Sequence, residues 1–195
     1  MWVRNRRNVA LGLQFVGTET AILVTLLHTG VLPLAPWNLG SALLLWCLLT
    51  PWWEVWFYFA HRCLHSRWLY VWHRPHHQET GVPGSLRFSA GETLFLSAGF
   101  YLPIVLAARW FGMVSLPWIL STLVFAFVLN LVSHLPARWG KQRAWILKPL
   151  YALTEFHERH HRDETVHFGL LTPVMDAICQ TRSVTGAVNV ARREG

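Results

Sequence analysis

The chain has 195 residues, of which 53% are apolar and only 14% charged, with 12 Trp and 11 Phe. Soluble domains average about 25% charged residues, so this composition and a mean hydropathy of +0.30 exclude an ordinary water-soluble fold and point to a bilayer protein. The net charge of +7 sits on Lys and Arg that flank apolar runs, which excludes a nucleic-acid surface in favour of juxtamembrane charge, and three cysteines without CxxC spacing exclude a disulfide framework.

Arg4, Arg6 and Arg7 precede an apolar run from Val9 to about Leu34. The run is too long for a signal-peptide core and lacks a small-residue cleavage site, so it predicts a first transmembrane helix. Glu19 and His28 lie inside it, and intramembrane ionisable groups point to function or to a partner on a neighbouring helix. His28 falls at the far end, away from the other histidines. Pro33, Pro36 and Asn38 make a turn. A second apolar run, Leu39 to Ala60, contains Pro51, which predicts a kink. Its aromatic end, TPWWEVWFYFAHR, suits a membrane interface and carries the helix on into His61 and His65. These first 60 residues read as two transmembrane helices.

Residues 61–92 read as a cytoplasmic segment rich in histidine. His61 and His65 are four apart, and His73, His76 and His77 form HxxHH. Residues three and four apart share one helix face, so each set can aim its imidazoles into one space. Cys63, two residues from His61, faces away from that side and reads as a packing residue. Pro75 suits a first helical turn, which places the start of a helix near His73. ETGVPGS then reads as a loop.

Residues 93–135 read as a transmembrane hairpin, from Thr93 to about Ala108 and from Val114 to Leu135. Asn130 and His134 lie four apart at its returning end. The tail, 136–195, holds nine basic residues, among them Lys141, Arg143 and Lys148, and a second HxxHH at His157, His160 and His161. GLLTPVMDAI packs on the site or lies at the interface, and the residues from about Thr185 are uninformative. The fold class is therefore an all-α integral membrane protein with about four transmembrane helices and a cytoplasmic histidine-rich helical cap, all one domain. Every basic residue except Arg109 lies in the N-terminus, the 61–90 segment or the tail. Four crossings put these on one side, which the positive-inside rule makes cytoplasmic in a bacterial inner membrane or ER-type membrane. The same side receives all the clustered histidines. Neutral imidazole is the commonest metal ligand, and two triads in one chain predict one metal centre built from distant segments.

The series HxxxH (His61, His65), HxxHH (His73, His76, His77), NxxxH (Asn130, His134) and HxxHH (His157, His160, His161), in that order and on that topology, resembles the fatty acid hydroxylase superfamily, also called the sterol desaturase family. The likeness runs from about Glu54 to about Ile178. EVWFYFAHRCLH resembles the family's acid–aromatic–His lead-in, with Glu54 where Asp is usual. HERHHRDETVHFGLL resembles its HxxHH followed by Asn-Tyr/Phe-Gly, with His167 in place of Asn. Ser89 and Ala90 stand where many members have His-Pro before the acid seen here as Glu92.

The resemblance implies a membrane di-iron enzyme that uses O2 and two electrons to hydroxylate or desaturate a sterol or fatty acyl type lipid. It implies His61, His65, His73, His76, His77, His134, His157, His160 and His161 as ligands, with Asn130 and His167 as further candidates. Nine nitrogens exceed one ion's needs but suit two ions at four or five each. Second-shell carboxylates that accept the free ring N–H raise ligand basicity; Glu54, Glu92, Glu158, Asp163 and Asp176 are the candidates. No haem or Cys-cluster segment is present, so electrons come from a separate electron-transfer protein. The lipid substrate reaches the centre through an apolar cleft opening near the interface. A metal transporter would place ligands at mid-membrane along a path, and a structural zinc site needs only four; the histidine pattern suits neither as well.

Overall fold

The computed structural model describes residues 2–78, 85, 87–135, 148–170 and 172–182. Among these residues the secondary structure is entirely helical: α1 Trp2–His28, α2 Leu39–Leu64, α3 Tyr70–His77, α4 Ala90–Phe111, α5 Leu116–Ser133, α6 Lys148–Arg162 and α7 Val174–Ile178. The ETGVPGS loop (save Ser85), Lys141, Arg143 and the final residues lie outside the described set, as does most of the segment joining α5 to α6.

Three helices, α2, α4 and α5, are long and apolar enough to cross a membrane. Their outward side chains are apolar, among them Leu43, Leu48 and Trp110 at 58%, 61% and 73% exposure, a pattern that lipid solvates and water does not. The helix expected over residues 9–34 is α1. It stops at His28 because Gly30 turns left-handed at φ 69°, a conformation that glycine enters without steric cost.

Helix association inside a bilayer depends on close packing and interhelical hydrogen bonds, and the seam between α2 and α4 uses both. Pro103 has no N–H, so the Gly99 carbonyl one turn earlier in α4 loses its helical partner. Trp52 Nε1 of α2 donates to that carbonyl at 2.9 Å. Trp56 Nε1 donates to Leu96 O at 3.1 Å. A Cβ at Gly99 would lie 2.0 Å from the Trp56 indole, so only glycine admits that ring against the helix backbone. Pro51 does not break α2, which runs unbroken to Leu64.

The apolar core lies among α1, α2, α4 and α5, around Leu45, Ile104, Trp118 and Ile119. Trp53 bridges Phe100 and Trp118 by near-parallel stacking. At one end of this bundle α2, α3, α5 and α6 bring their histidines together. A second small cluster of Tyr58, Phe168 and Met175 pins the α7 region to α2.

Two starts differ from the sequence expectation. α3 begins at Tyr70, three residues before His73, and Pro75 is its sixth residue. The missing Pro75 N–H removes one helical hydrogen bond, a loss that the packing of His73 and His76 in the centre outweighs. α4 begins at Ala90, capped by Ser89 Oγ, which accepts from Glu92 N at 3.1 Å.

Candidate metal centre

Nine histidines converge, in two groups. His61, His65, His73, His77 and His160 have ring nitrogens within 4.8 Å of one another; so do His76, His134, His157 and His161. The division follows helix geometry. Positions four apart differ by about 40° around a helix and positions three apart by about 60° the other way. On α3, His73 and His77 therefore join the first group and His76 the second. On α6 the assignment reverses: His157 and His161 join the second and His160 the first. Each HxxHH thus gives two rings to one group and one to the other. The groups abut, with His77 and His161 rings 4.6 Å apart and His73 and His76 rings 5.2 Å apart.

The rings meet through Nε2. His73 Nε2 is 3.0 Å from both His61 Nε2 and His77 Nε2, and His65 Nε2 is 3.1 Å from His160 Nε2. His157 Nε2 is 3.1 Å from His134 Nε2 and 3.0 Å from His161 Nε2. The outer nitrogens explain why. His61 Nδ1 donates to Phe168 O at 2.9 Å, His160 Nδ1 to Val166 O at 2.7 Å and His134 Nδ1 to Asn130 O at 2.8 Å. A carbonyl only accepts, so these rings carry their protons on Nδ1 and present lone pairs at Nε2. His73 Nδ1 does the same toward Glu92 Oε1 at 2.6 Å. Facing lone pairs repel unless a cation lies between them. Adjacent ligands held about 2.1 Å from one ion stand about 3 Å apart, which matches the Nε2 spacings here. The residues present therefore fit two metal ions.

Charge on the rings is suppressed. Burial, reinforced by neighbouring imidazoles, lowers His65 to about 4, His73 to about 2 and His161 to about 3. Burial lowers His134 to about 4 and His160 to about 3. His76 and His157 fall well below the ordinary histidine value for the same causes. Neutral imidazole is the form that ligates.

The supporting residues divide. Glu92 holds His73. Asp176 acts one step removed: it accepts from Phe168 N and Gly169 N at 2.8 Å each and from Thr181 Oγ1 at 2.7 Å, fixing the turn whose Phe168 carbonyl receives His61. Asp163 accepts from Thr165 N and Oγ1 just past α6, next to the Val166 carbonyl that receives His160. Glu54 accepts from Thr172 N and Oγ1 at 2.8 Å each, and Glu158 pairs with Arg162 along α6. Asn130 reaches His134 through its main-chain carbonyl, while its side chain donates to Ser85 O at 2.7 Å.

His167 stands outside both groups, with its ring 4.3 Å from Phe156. Its φ of 60° is a left-handed conformation in which Asn and His are enriched. The resemblance to members with Asn at this position therefore has a backbone reason. Cys63 faces away from the centre, as expected, but is exposed rather than packed. The carboxylate that side-chain spacing missed is Glu164. It lies 3.6 Å from His65 Nδ1 and 3.5 Å from His77 Nδ1, and Tyr70 Oη donates to it at 2.9 Å. It sits in the turn after α6, where no periodicity reports direction. The carbonyls of Asn130, Val166 and Phe168 were equally invisible, because every residue has one.

Known proteins resemble this chain over most of its length. The fatty acid hydroxylase family model matches residues 46–181. The chain is 33% identical over 136 residues to methylsterol monooxygenase 2-2 of Arabidopsis thaliana, covering 67% of this chain and 47% of that protein. It is 30% identical over 141 residues to the very-long-chain aldehyde decarbonylase GL1-8 of Oryza sativa subsp. indica, covering 67% and 47%. It is 27% identical over 159 residues to protein CER1-like 1 of Arabidopsis thaliana, covering 78% and 25%. The chain thus spans less than half the length of each of these relatives. No solved structure matches.

Proposed function

Because the chain belongs to the fatty acid hydroxylase family, we propose that it is a membrane oxidoreductase that hydroxylates or desaturates a lipid C–H bond, using a pair of iron ions, O2 and two electrons from a separate electron-transfer protein. His61, His65, His73, His77 and His160 hold one ion, and His76, His134, His157 and His161 the other. The single observation that carries this reading is the five-plus-four convergence of histidine ring nitrogens. It offers more ligands than structural zinc needs. It also lies at the helix ends, not along a path through the membrane.

Iron with O2 supplies an oxidant for an unactivated C–H bond, which no side chain provides. The chain's own residues do the rest. The carbonyls of Asn130, Val166 and Phe168 and the carboxylate of Glu92 hold protons on Nδ1 and so fix which nitrogen faces inward. Burial of His73, His76 and His160, at 2%, 3% and 0% exposure, keeps water from the centre. The Phe168 ring, 5.4 Å from both His65 and His160, walls one side with a group that adds no competing ligand.

Two of the relatives are named for methylsterols and very-long-chain aldehydes, which supports a long apolar substrate here. It enters from the bilayer. With α1 as a fourth crossing beside α2, α4 and α5, both termini and the histidine centre lie on the cytoplasmic side. There the exposed Arg62, Arg67 and Arg74 attract an acidic electron donor.

The test is metal analysis of the purified protein together with a lipid survey of cells expressing wild type or His160→Ala. The expected result is about two irons per chain and an oxidised lipid absent from the variant. Identical lipids with wild type, variant and empty vector, or a single zinc per chain, overturn the reading.

A further inference from the structure

The ring of His61 takes its orientation from one peptide group. The Phe168 carbonyl, which accepts from His61 Nδ1 at 2.9 Å, belongs to the same planar unit as the Gly169 N–H. That unit is trans, so its carbonyl and its N–H point in opposite directions. Gly169 N donates to Asp176 Oδ2 at 2.8 Å, and the carboxylate on one side therefore aims the carbonyl at His61 on the other. The arrangement requires glycine. A Cβ at Gly169 would stand 2.9 Å from Asp176 Oδ2 and 2.7 Å from Thr172 O.

Asp176 is itself held by hydroxyls that can be ordered in one direction only. Thr181 Oγ1 donates its single proton to Asp176 Oδ1 at 2.7 Å. In its contact with Tyr58 Oη at 2.9 Å Thr181 can then only accept, so Tyr58 donates. Arg62 Nη1 donates to Tyr58 Oη at 3.2 Å. The chain runs from Arg62 through Tyr58 and Thr181 to Asp176. Tyr58 and Asp176 are both 0% exposed, and hydrogen bonds in series polarise one another where the dielectric is low. Tyr58 lies three residues before His61 on α2, so the chain leaves that helix at one residue and returns to it, through the peptide, at a ligand on the same face. Pinning the α7 region to α2 needs only the Tyr58 ring, which meets Phe168 edge-on at 6.1 Å. The hydroxyl serves the carboxylate.

We propose that Tyr58 is a positioning residue for the metal ligand His61, acting through Thr181, Asp176 and the Phe168–Gly169 peptide. This deepens the reading of the histidines as a two-metal centre and rests on it.

The test uses the full chain in nanodiscs, stripped of metal and titrated with Co2+, whose visible absorption follows each equivalent bound. The wild type should bind two. Tyr58→Phe keeps the ring, and Thr181→Val keeps the volume while removing the hydroxyl. Each should weaken one of the two equivalents by about tenfold or more, the order that follows loss of an outer partner of a ligand, and leave the other as in wild type, with helicity retained. Thr181→Ser should restore wild-type binding. His61→Ala should weaken the same equivalent, and Tyr58→Phe should add nothing further in that background, because its effect travels through His61. Wild-type affinity for both equivalents in Tyr58→Phe and Thr181→Val overturns the proposal, as does a Tyr58→Phe loss equally large with and without His61; either leaves Tyr58 as a pin between α2 and α7. A wild type that binds no Co2+ would instead overturn the metal-centre reading itself, so the two failures are separable.

Discussion

At the scale of single residues, the centre depends on which ring nitrogen carries the proton. Glu92 is fully buried and accepts from His73 Nδ1. Glu92→Gln keeps the shape but weakens that acceptor, and outer partners of this kind change metal affinity by about 10–100-fold. Iron retention during dialysis against a graded chelator should fall by that order, with the helical signal unchanged; unaltered retention would mean that His73 orients itself. His167 gives the opposite expectation. His167→Asn should retain iron in full, because Asn accepts φ 60°. His167→Val should cost about 1–3 kcal/mol of stability, because a β-branched residue resists that conformation. Chemical denaturation and metal content measured on both variants separate backbone fit from ligation. Acid should act on the rings directly. The folded protein holds His65 and His134 near 4 and His160 near 3, while unfolded histidines take up protons near 6.5. Below pH 6.5 the unfolded chain therefore binds more protons than the folded one. Stability and metal occupancy should both be full above pH 6.5 and fall steadily toward pH 4, as followed by melting temperature and iron content.

At the scale of elements, small residues and caps set how closely the helices approach. Gly99→Ala would place a methyl into the Trp56 indole, and overpacking of this kind costs about 1–3 kcal/mol. The α2–α4 seam should loosen, and a melting temperature equal to that of wild type would refute the contact. Ser89 caps α4 in the spacing of a capping box with Glu92, but Glu92 turns to His73 instead of back to its own helix start. In the sequence Glu92 is an acid expected near the centre and Ser89 a departure from the family pattern. That Ser89 caps the helix that presents Glu92 appears only once both are in place. The helices themselves were largely legible: α2 through His61, the α4–α5 hairpin and the HxxHH helices follow from apolar runs and three-and-four spacing. The start of α3 was not, since Pro75 pointed to a first turn at His73 while packing extended the helix back to Tyr70.

At the scale of the whole molecule, the two HxxHH helices are reciprocal clamps, each serving both histidine groups. Ligand binding to the folded state alone adds stability by mass action, so stripping metal should lower the melting temperature and loosen α3 and α6 together. Hydrogen exchange on apo and reloaded protein checks this; loosening of only one helix would argue against shared clamping. The amino-acid order by itself determined an all-helical chain with bilayer composition, and it determined the histidine sets, because helical spacing places their rings on common faces. Only the tertiary structure decided that nine rings divide five and four, that His167 and the Asn130 side chain stand apart, and that Glu164 and three backbone carbonyls support the rings. The reason is physical. Periodicity reports the face on which a side chain lies, but partner choice across helices depends on crossing geometry and on main-chain acceptors, which every residue carries alike.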